Sequence, residues 1–305
     1  MFKRLFKFAS LGALFSIAAC DQDEAIKPVY LKIDAIHLET DFSEEGSSHQ
    51  DITTVWVYVN DEPTGAYELP ATIPVILNEG TNELLLYAGI NTNGIQSFRS
   101  INDAFTPMYI DVFNPNTPGQ IDTIALSDAQ LTVNYRDNFN LIQVEDFDDP
   151  GLNFERTIFS DTGIFKTSEP DSIFSFTPYG ATSPEPNSNS GLIVLDDNNT
   201  FVELASVVGY NLTRGAQNIY LEVSYKTNVN VGFGLIADYP GSGDLQDVTT
   251  VVYPKDEWNK IYINLITEFQ AFPNASGYKV LITARKPSDL AEARIYLDNI
   301  KLIYE

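Results

Sequence analysis

Apolar residues along this chain alternate with polar ones at a period of two. Tyr30-Leu31-Lys32-Ile33-Asp34-Ala35-Ile36, Val55-Trp56-Val57-Tyr58-Val59 and Leu84-Leu85-Leu86-Tyr87 are short, rich in β-branched or aromatic residues, and bounded by Asn, Asp, Gly or Pro. That is the signature of strands closed by turns. The same pattern returns at Met108 to Val112, Ile219 to Tyr225, Val231 to Ala237, Lys260 to Leu265, Lys279 to Ala284 and Arg294 to Ile303. No window keeps a helical apolar period over three turns, so the chain reads as all-β. Pro287-Ser288-Asp289-Leu290-Ala291-Glu292 reads either as a brief helix or as a turn.

The pattern breaks once. Leu131-Thr132-Val133-Asn134-Tyr135 ends in Arg136-Asp137-Asn138, and Leu141-Ile142-Gln143-Val144 starts a new strand at once. Two domains follow, residues 28–137 and 139–305, each with enough apolar content for its own core. The first is compact, with hairpin turns predicted at Asn60-Asp61 and Glu79-Gly80. The second carries a long Pro-, Ser- and Asn-rich loop, Thr177 to Ser190, which is either functional or mobile.

Charge and the N-terminus narrow the setting. Lys3, Arg4 and Lys7 precede a short apolar run, Phe8 to Ile17, which ends in Ile17-Ala18-Ala19-Cys20. The segment is too short to span a bilayer. It resembles a bacterial lipoprotein signal, whose pattern of an aliphatic residue, two small residues and Cys is matched at all four positions. The resemblance implies a signal peptide over 1–19, acylation of Cys20 and a tether over 20–27. Asp21-Gln22-Asp23-Glu24 resembles the surface-export signal of lipoproteins in the Bacteroidota. The formal charge of −24 falls to −27 once those three cations are removed. Such a surface repels nucleic acid and anionic lipid headgroups and leaves loose divalent-cation binding as its one charge-driven preference. Cys20 is the sole cysteine, and with the implied lipid on it neither disulfides nor a thiolate nucleophile nor a Cys-built metal site is available.

Two further resemblances assign folds. Val57 to Asp61, Gly65, Pro70 to Val75 and Glu79 to Leu84 resemble the PEGA-type β-sandwich repeat of bacterial surface proteins, a spacer or docking module. An Ig-like β-sandwich is therefore expected over 28–137, completed by the strands at Tyr30 to Ile36 and Phe105 to Val112. Val144-Glu145-Asp146-Phe147-Asp148, the Trp-led strand Glu257 to Leu265 and the terminal Ala293 to Leu302 resemble the galactose-binding-like jelly roll of many carbohydrate-binding modules. In such jelly rolls Ca²⁺ often ties the first strand to the last, and the resemblance implies Glu145 and Asp298 as its ligands. Trp258 is expected in the core.

Catalytic chemistry finds little support. The only histidines are His37, in a strand, and His49, in the polar loop Ser43 to Asp51 and expected to be exposed. Neither neighbours a nucleophile elbow, and the pair gives no zinc ligand set. A carboxylate pair for glycoside hydrolysis cannot be singled out among 42 acidic residues. Asp196-Asp197-Asn198-Asn199 reads as a tight Asx turn. Sugar recognition needs exposed rings beside polar groups, which points to Tyr239, Phe269 and Phe272 in loop-like stretches. Asp122-Thr123-Ile124 and Asp171-Ser172-Ile173 resemble the O-glycosylation triplet of exported Bacteroidota proteins, at Thr123 and Ser172. The expectation is thus a non-enzymatic outer-membrane lipoprotein, lipid-anchored and exposed at the cell surface. It would serve as an accessory or scaffold subunit of a larger complex, or alternatively as a surface glycan-binding protein of a nutrient-uptake system.

Overall fold

The computed structural model describes residues 27–114, 123–212, 215–241 and 244–305. The first half contains β1 (Val29–Ile33), β2 (His37–Leu38), α1 (Phe42–Glu45), β3 (Ile52–Val59), β4 (Glu62–Glu68), β5 (Ala71–Val75), β6 (Gly80–Asn91), β7 (Arg99–Ile101), β8 (Met108–Asn114), β9 (Thr123–Ala125) and β10 (Thr132–Val133). The second contains β11 (Asn140–Glu145), β12 (Phe154–Arg156), β13 (Phe165–Thr167), β14 (Ser190–Leu195), β15 (Phe201–Ser206), β16 (Ile219–Thr227), β17 (Val231–Asp238), β18 (Leu245–Val252), β19 (Lys255–Asn264), α2 (Ile266–Ala271), β20 (Gly277–Arg285) and β21 (Ala293–Tyr304). The chain is all-β. Among the described residues its two α-helices, of four and six residues, and one 3-10 turn over Asp128–Leu131 are too short to impose an apolar period, and the segment at 287–292 is a turn.

In the first half a sheet ordered β5-β1-β9 faces one ordered β4-β3-β6-β7, with β8 also paired to β6. Alternation decides what lies between them. Leu31, Ile33 and Ile73 from one sheet and Val55, Val57, Leu84 and Leu86 from the other are fully buried. The β3–β4 turn is Asn60-Asp61, both at positive φ (51° and 66°), the conformation a two-residue hairpin loop demands and Asn and Asp tolerate.

The second half has jelly-roll topology. Apart from the hairpins β13–β14 and β17–β18, successive strands cross from one sheet to the other, giving the orders β13-β14-β21-β16-β19 and β12-β15-β20-β17-β18, with β11 pairing the far half of β21. Leu221, Val223, Ile261, Ile263, Leu297 and Leu302 meet Val231, Phe233, Val280 and Ile282 in the core between them. The Asp196 run is a turn, its Oδ1 accepting from the N–H groups of Asn198 and Asn199 at 2.8 Å each.

The other face of the β21-β16-β19 sheet is buried too. Its residues Tyr220, Glu222, Ser224, Lys260, Tyr262, Lys301 and Ile303 are all nearly inaccessible, because the first half packs against them. Tyr220, Tyr262 and Ile303 belong to the hydrophobic cluster of the N-terminal sandwich. At the centre, Glu222 pairs with Lys260 at 2.9 Å and accepts from the Tyr135 hydroxyl at 3.0 Å. Lys301 donates to the Ser47 carbonyl at 2.7 Å. Burial and the neighbouring Lys260 push its amine down to about 7. Asn93 closes the edge of β19, donating to the Tyr262 carbonyl at 2.9 Å and accepting from Asn264 N at 2.8 Å.

The long loop ahead of β14 is a strap across this junction. Glu185 accepts from the Ser47 hydroxyl and from Ser48 N and Oγ at 2.8 and 2.7 Å. Tyr179 stacks on His37 at 3.7 Å between centroids and donates to Asp128 at 2.6 Å. Two expectations are corrected here. His49 is half-buried against Phe174 and Phe176, since the strap folds over its loop. Trp258 stands on the outer face of its sheet rather than in the core, half-buried and edge-on to Phe174 at 5.3 Å.

Candidate binding site

The residues expected to carry function are dispersed. Cys20 lies outside the described residues. Glu145 is buried at the end of β11, where burial raises its carboxyl, and it accepts from Phe147 N at 2.8 Å and Asn153 N at 2.6 Å. Asp298 is buried in β21 and accepts from Ser190 Oγ at 2.5 Å, Asn187 Nδ2 at 3.0 Å and Asn299 N at 2.8 Å. Desolvation pushes it up to about 7. Both carboxylates are thus engaged by N–H and O–H donors of their own surroundings, and among the described residues no group of three His, Cys, Asp or Glu is placed to hold a metal.

The three rings expected to stack on sugar are drawn into the jelly-roll core instead. Phe269, 6% exposed, points inward from α2 to within 5.0 Å of the Tyr278 ring. Tyr239 and Phe272 are half-buried against the same cluster. Thr123 stands exposed at the start of β9, whereas Ser172 is buried, which leaves its hydroxyl out of reach of a modifying enzyme. His49 Nδ1 does meet a serine, Ser224 Oγ, at 2.9 Å. Ser224 is wholly buried, and desolvation with the charges of Lys260 and Lys301 holds His49 down to about 3. A sealed hydroxyl beside so weak a base is a packing contact.

An open site exists elsewhere, on the outer face of the N-terminal sheet. Where β3, β6 and β8 turn Val55, Val57, Leu84, Leu86 and Ile110 inward, the alternate positions outward are Trp56, Tyr58, Leu85, Tyr87, Tyr109 and Phe113. Register lines them up, with Trp56 opposite Tyr87, Tyr58 opposite Leu85 and Leu85 opposite Tyr109. Tyr58 meets Tyr87 edge to face at 5.9 Å, so the two rings hold each other in place. Tyr109 and Phe113 are each 64% exposed. A solvent-facing sheet surface is normally polar, and Tyr109 and Phe113 bury little in the folded chain, while Trp56, Tyr58 and Tyr87 are half-buried.

Beside Tyr87 and Tyr109 the face dips into a shallow cleft of about 580 Å³, walled by Thr106, Pro107, Arg136, Asp137 and Asn138. Arg136 is fixed there by its Nε, which donates to the Phe105 carbonyl at 2.8 Å. The cleft thus combines ring faces for C–H surfaces with a guanidinium, a carboxylate, an amide and a hydroxyl for polar groups. No single motif announces it in the sequence. The signal it leaves is the strand alternation, which sends aromatic residues to the solvent side at several positions.

No protein-family model matches the chain, and no curated protein matches it in sequence. Solved structures similar to it include carbohydrate-binding modules. One is a family 29 module, 10% identical over 54% of this chain and 89% of its own, with a TM-score of 0.31. Another is the family 11 module of the cellulosomal cellulase Lic26A-Cel5E of Clostridium thermocellum, at 16% identity, 53% and 94% coverage and a TM-score of 0.33. A third, described for the promiscuous specificity of carbohydrate-binding modules from the β-sandwich superfamily, is 16% identical over 90% of this chain and 98% of its own, at 0.35. A likeness this distant does not extend to ligand or residue roles.

Proposed function

We propose that this protein is a non-catalytic glycan-binding protein whose site is the aromatic face of its N-terminal sheet. The carrying observation is the cleft itself, with Tyr87 and Tyr109 as its rings and Arg136, Asp137 and Asn138 as its polar wall. A sugar ring offers an apolar C–H face and a rim of hydroxyls, and stacking on an aromatic plane with polar partners at the edge satisfies both. This puts glycan binding ahead of the scaffold role and moves the site from the jelly roll to the other domain. Acylation at Cys20 belongs to the same proposal, because a surface anchor would hold the cleft where polymeric glycans are met. Membrane fractionation of Cys20→Ala tests the anchor, and release into the soluble fraction is expected. Affinity electrophoresis of the full-length protein in gels containing neutral polysaccharides tests the site. Retardation that Tyr109→Ala removes is expected, and no retardation by any polysaccharide overturns the reading.

A docking role keeps one observation of its own. Among the described residues edge strand β18 pairs only with β17 and exposes Leu245, Val248 and Val251, with Tyr253 just beyond, an edge that an extended partner segment could extend. Capture of a membrane partner lost in Val251→Lys would support it, and capture unaffected by that change would remove it.

A further inference from the structure

The cleft uses only one end of the aromatic face. On β8 the outward residues continue from Tyr109 through Asp111 to Phe113, and on β6 the matching positions are Leu85, Glu83 and Thr81. Tyr109 and Phe113 are four residues apart on a strand, which separates them by ~14 Å at ~3.4 Å per residue, more than one sugar ring can bridge. Between them Glu83 lies directly opposite Asp111. Both are exposed, and among the described residues neither carboxylate is held in an ion pair or a side-chain hydrogen bond. Like charges facing each other across a strand pair oppose folding, and nothing in the packing of this sheet requires them.

We infer that the site runs along β8 from the cleft to Phe113 and takes several consecutive units of a neutral, linear glycan. This rests on the carbohydrate reading above. Tyr87 with Tyr109 forms one stacking position and Phe113 a second. Glu83 and Asp111 between them accept hydroxyl hydrogen bonds, which are strongest to an ionised acceptor. The same two carboxylates repel a uronate, so a polyuronide is rejected at the stretch where a neutral chain is held.

Calorimetric titration of the full-length protein with neutral β-glucan and mannan oligosaccharides of two to six units, and with oligogalacturonates of the same lengths, tests this. Affinity is expected to climb with length among the neutral ligands. Phe113→Ala should weaken the hexasaccharide roughly two- to tenfold, the range of one ring stack, and leave the disaccharide unchanged. Tyr109→Ala should weaken both. At 64% exposure neither ring supports the fold, and matching melting curves verify that. Equal affinity for two and six units with Phe113→Ala silent, or oligogalacturonate bound as tightly as the neutral chain, overturns the inference while the cleft reading stands. Binding of no glycan at all removes both.

Discussion

Two sheet faces in this protein have exchanged the environments that their residues suggest. The outer face of the jelly-roll sheet carries Glu222, Ser224, Lys260 and Lys301 and is sealed, while the outer face of the N-terminal sheet carries Tyr58, Tyr87, Tyr109 and Phe113 and is open. A buried charge must be matched by opposite charge and hydrogen bonds; here Glu222 faces Lys260 at 2.9 Å and accepts from Tyr135 at 3.0 Å, while Glu222 Oε1 and Lys260 Nζ have no hydrogen-bond partner among the described residues. An exposed ring gains nothing from the fold, so its retention calls for a ligand. The difference teaches that the polar face is the one the first half of the chain covers, and under the proposed reading the aromatic face is the one left for binding.

The comparison breaks first at Glu222. Glu222→Gln leaves Lys260 charged, buried and without its counter-ion, which is expected to cost about 3–5 kcal/mol, read from denaturant unfolding of the whole chain. Replacing both partners, Glu222→Met with Lys260→Met, should recover most of that loss, because two apolar side chains need no matching. A cost under about 1 kcal/mol for the single change would mean that water reaches the junction. The same interface bears on the expectation that 139–305 folds alone. Cut at 136–140, the fragment would uncover Tyr220, Tyr262, Ile303 and the charged pair together, and it is expected to aggregate or to melt well below the whole chain.

A matched pair of ring truncations sharpens the contrast. Tyr262 is 1% exposed and sits edge-on to Phe105 at 6.1 Å, so Tyr262→Ala should cost roughly 3–5 kcal/mol. Tyr109→Ala, on the open face, should change stability by no more than about 0.5 kcal/mol while weakening glycan binding. Equal stability losses at the two positions would show that Tyr109 is a packing residue and that the face is not free.

Much of this was legible in the chain. Period-two alternation placed most strands, and the Asn60-Asp61 turn and the terminal strand stand where the pattern puts them. Alternation says which residues share a face, however, and not whether that face is wet. Glu222 and Lys301 look like solvent positions on their strands and are buried only because another domain, far away in sequence, lies on them. Tyr239, Phe269 and Phe272 were chosen for standing in loop-like stretches, but a loop at the end of a sandwich can fold its rings inward to close the core, as α2 does. Trp56, Tyr87 and Tyr109 are strand residues whose outward side the alternation gives, and nothing local says that this side stays uncovered. The strap contacts of Glu185 and Tyr179 join residues more than fifty positions apart, and no local pattern carries such pairs.

The smallest effect tests the sealed face by acid. His49 is held down to about 3 by burial and by Lys260 and Lys301, against an ordinary value of 6.5. The folded protein therefore binds fewer protons there than the unfolded chain. The stability so gained is complete above pH 6.5 and is lost as the pH falls toward 3. Asp298 works in the opposite sense. Pushed up to about 7, it contributes fully below its unfolded value and loses that contribution as the pH rises through 7. Since the two oppose each other between pH 4 and 6.5, the wild-type curve alone does not separate them. His49→Gln does, because an amide can keep a hydrogen bond to Ser224 and cannot take a proton. The ring is half-buried, so water screens part of the shift, and the wild type should lose roughly 2–4 °C more than His49→Gln between pH 7 and pH 4. Parallel melting profiles for the two proteins would mean that protonated His49 finds water, and that the strap does not close the junction over it.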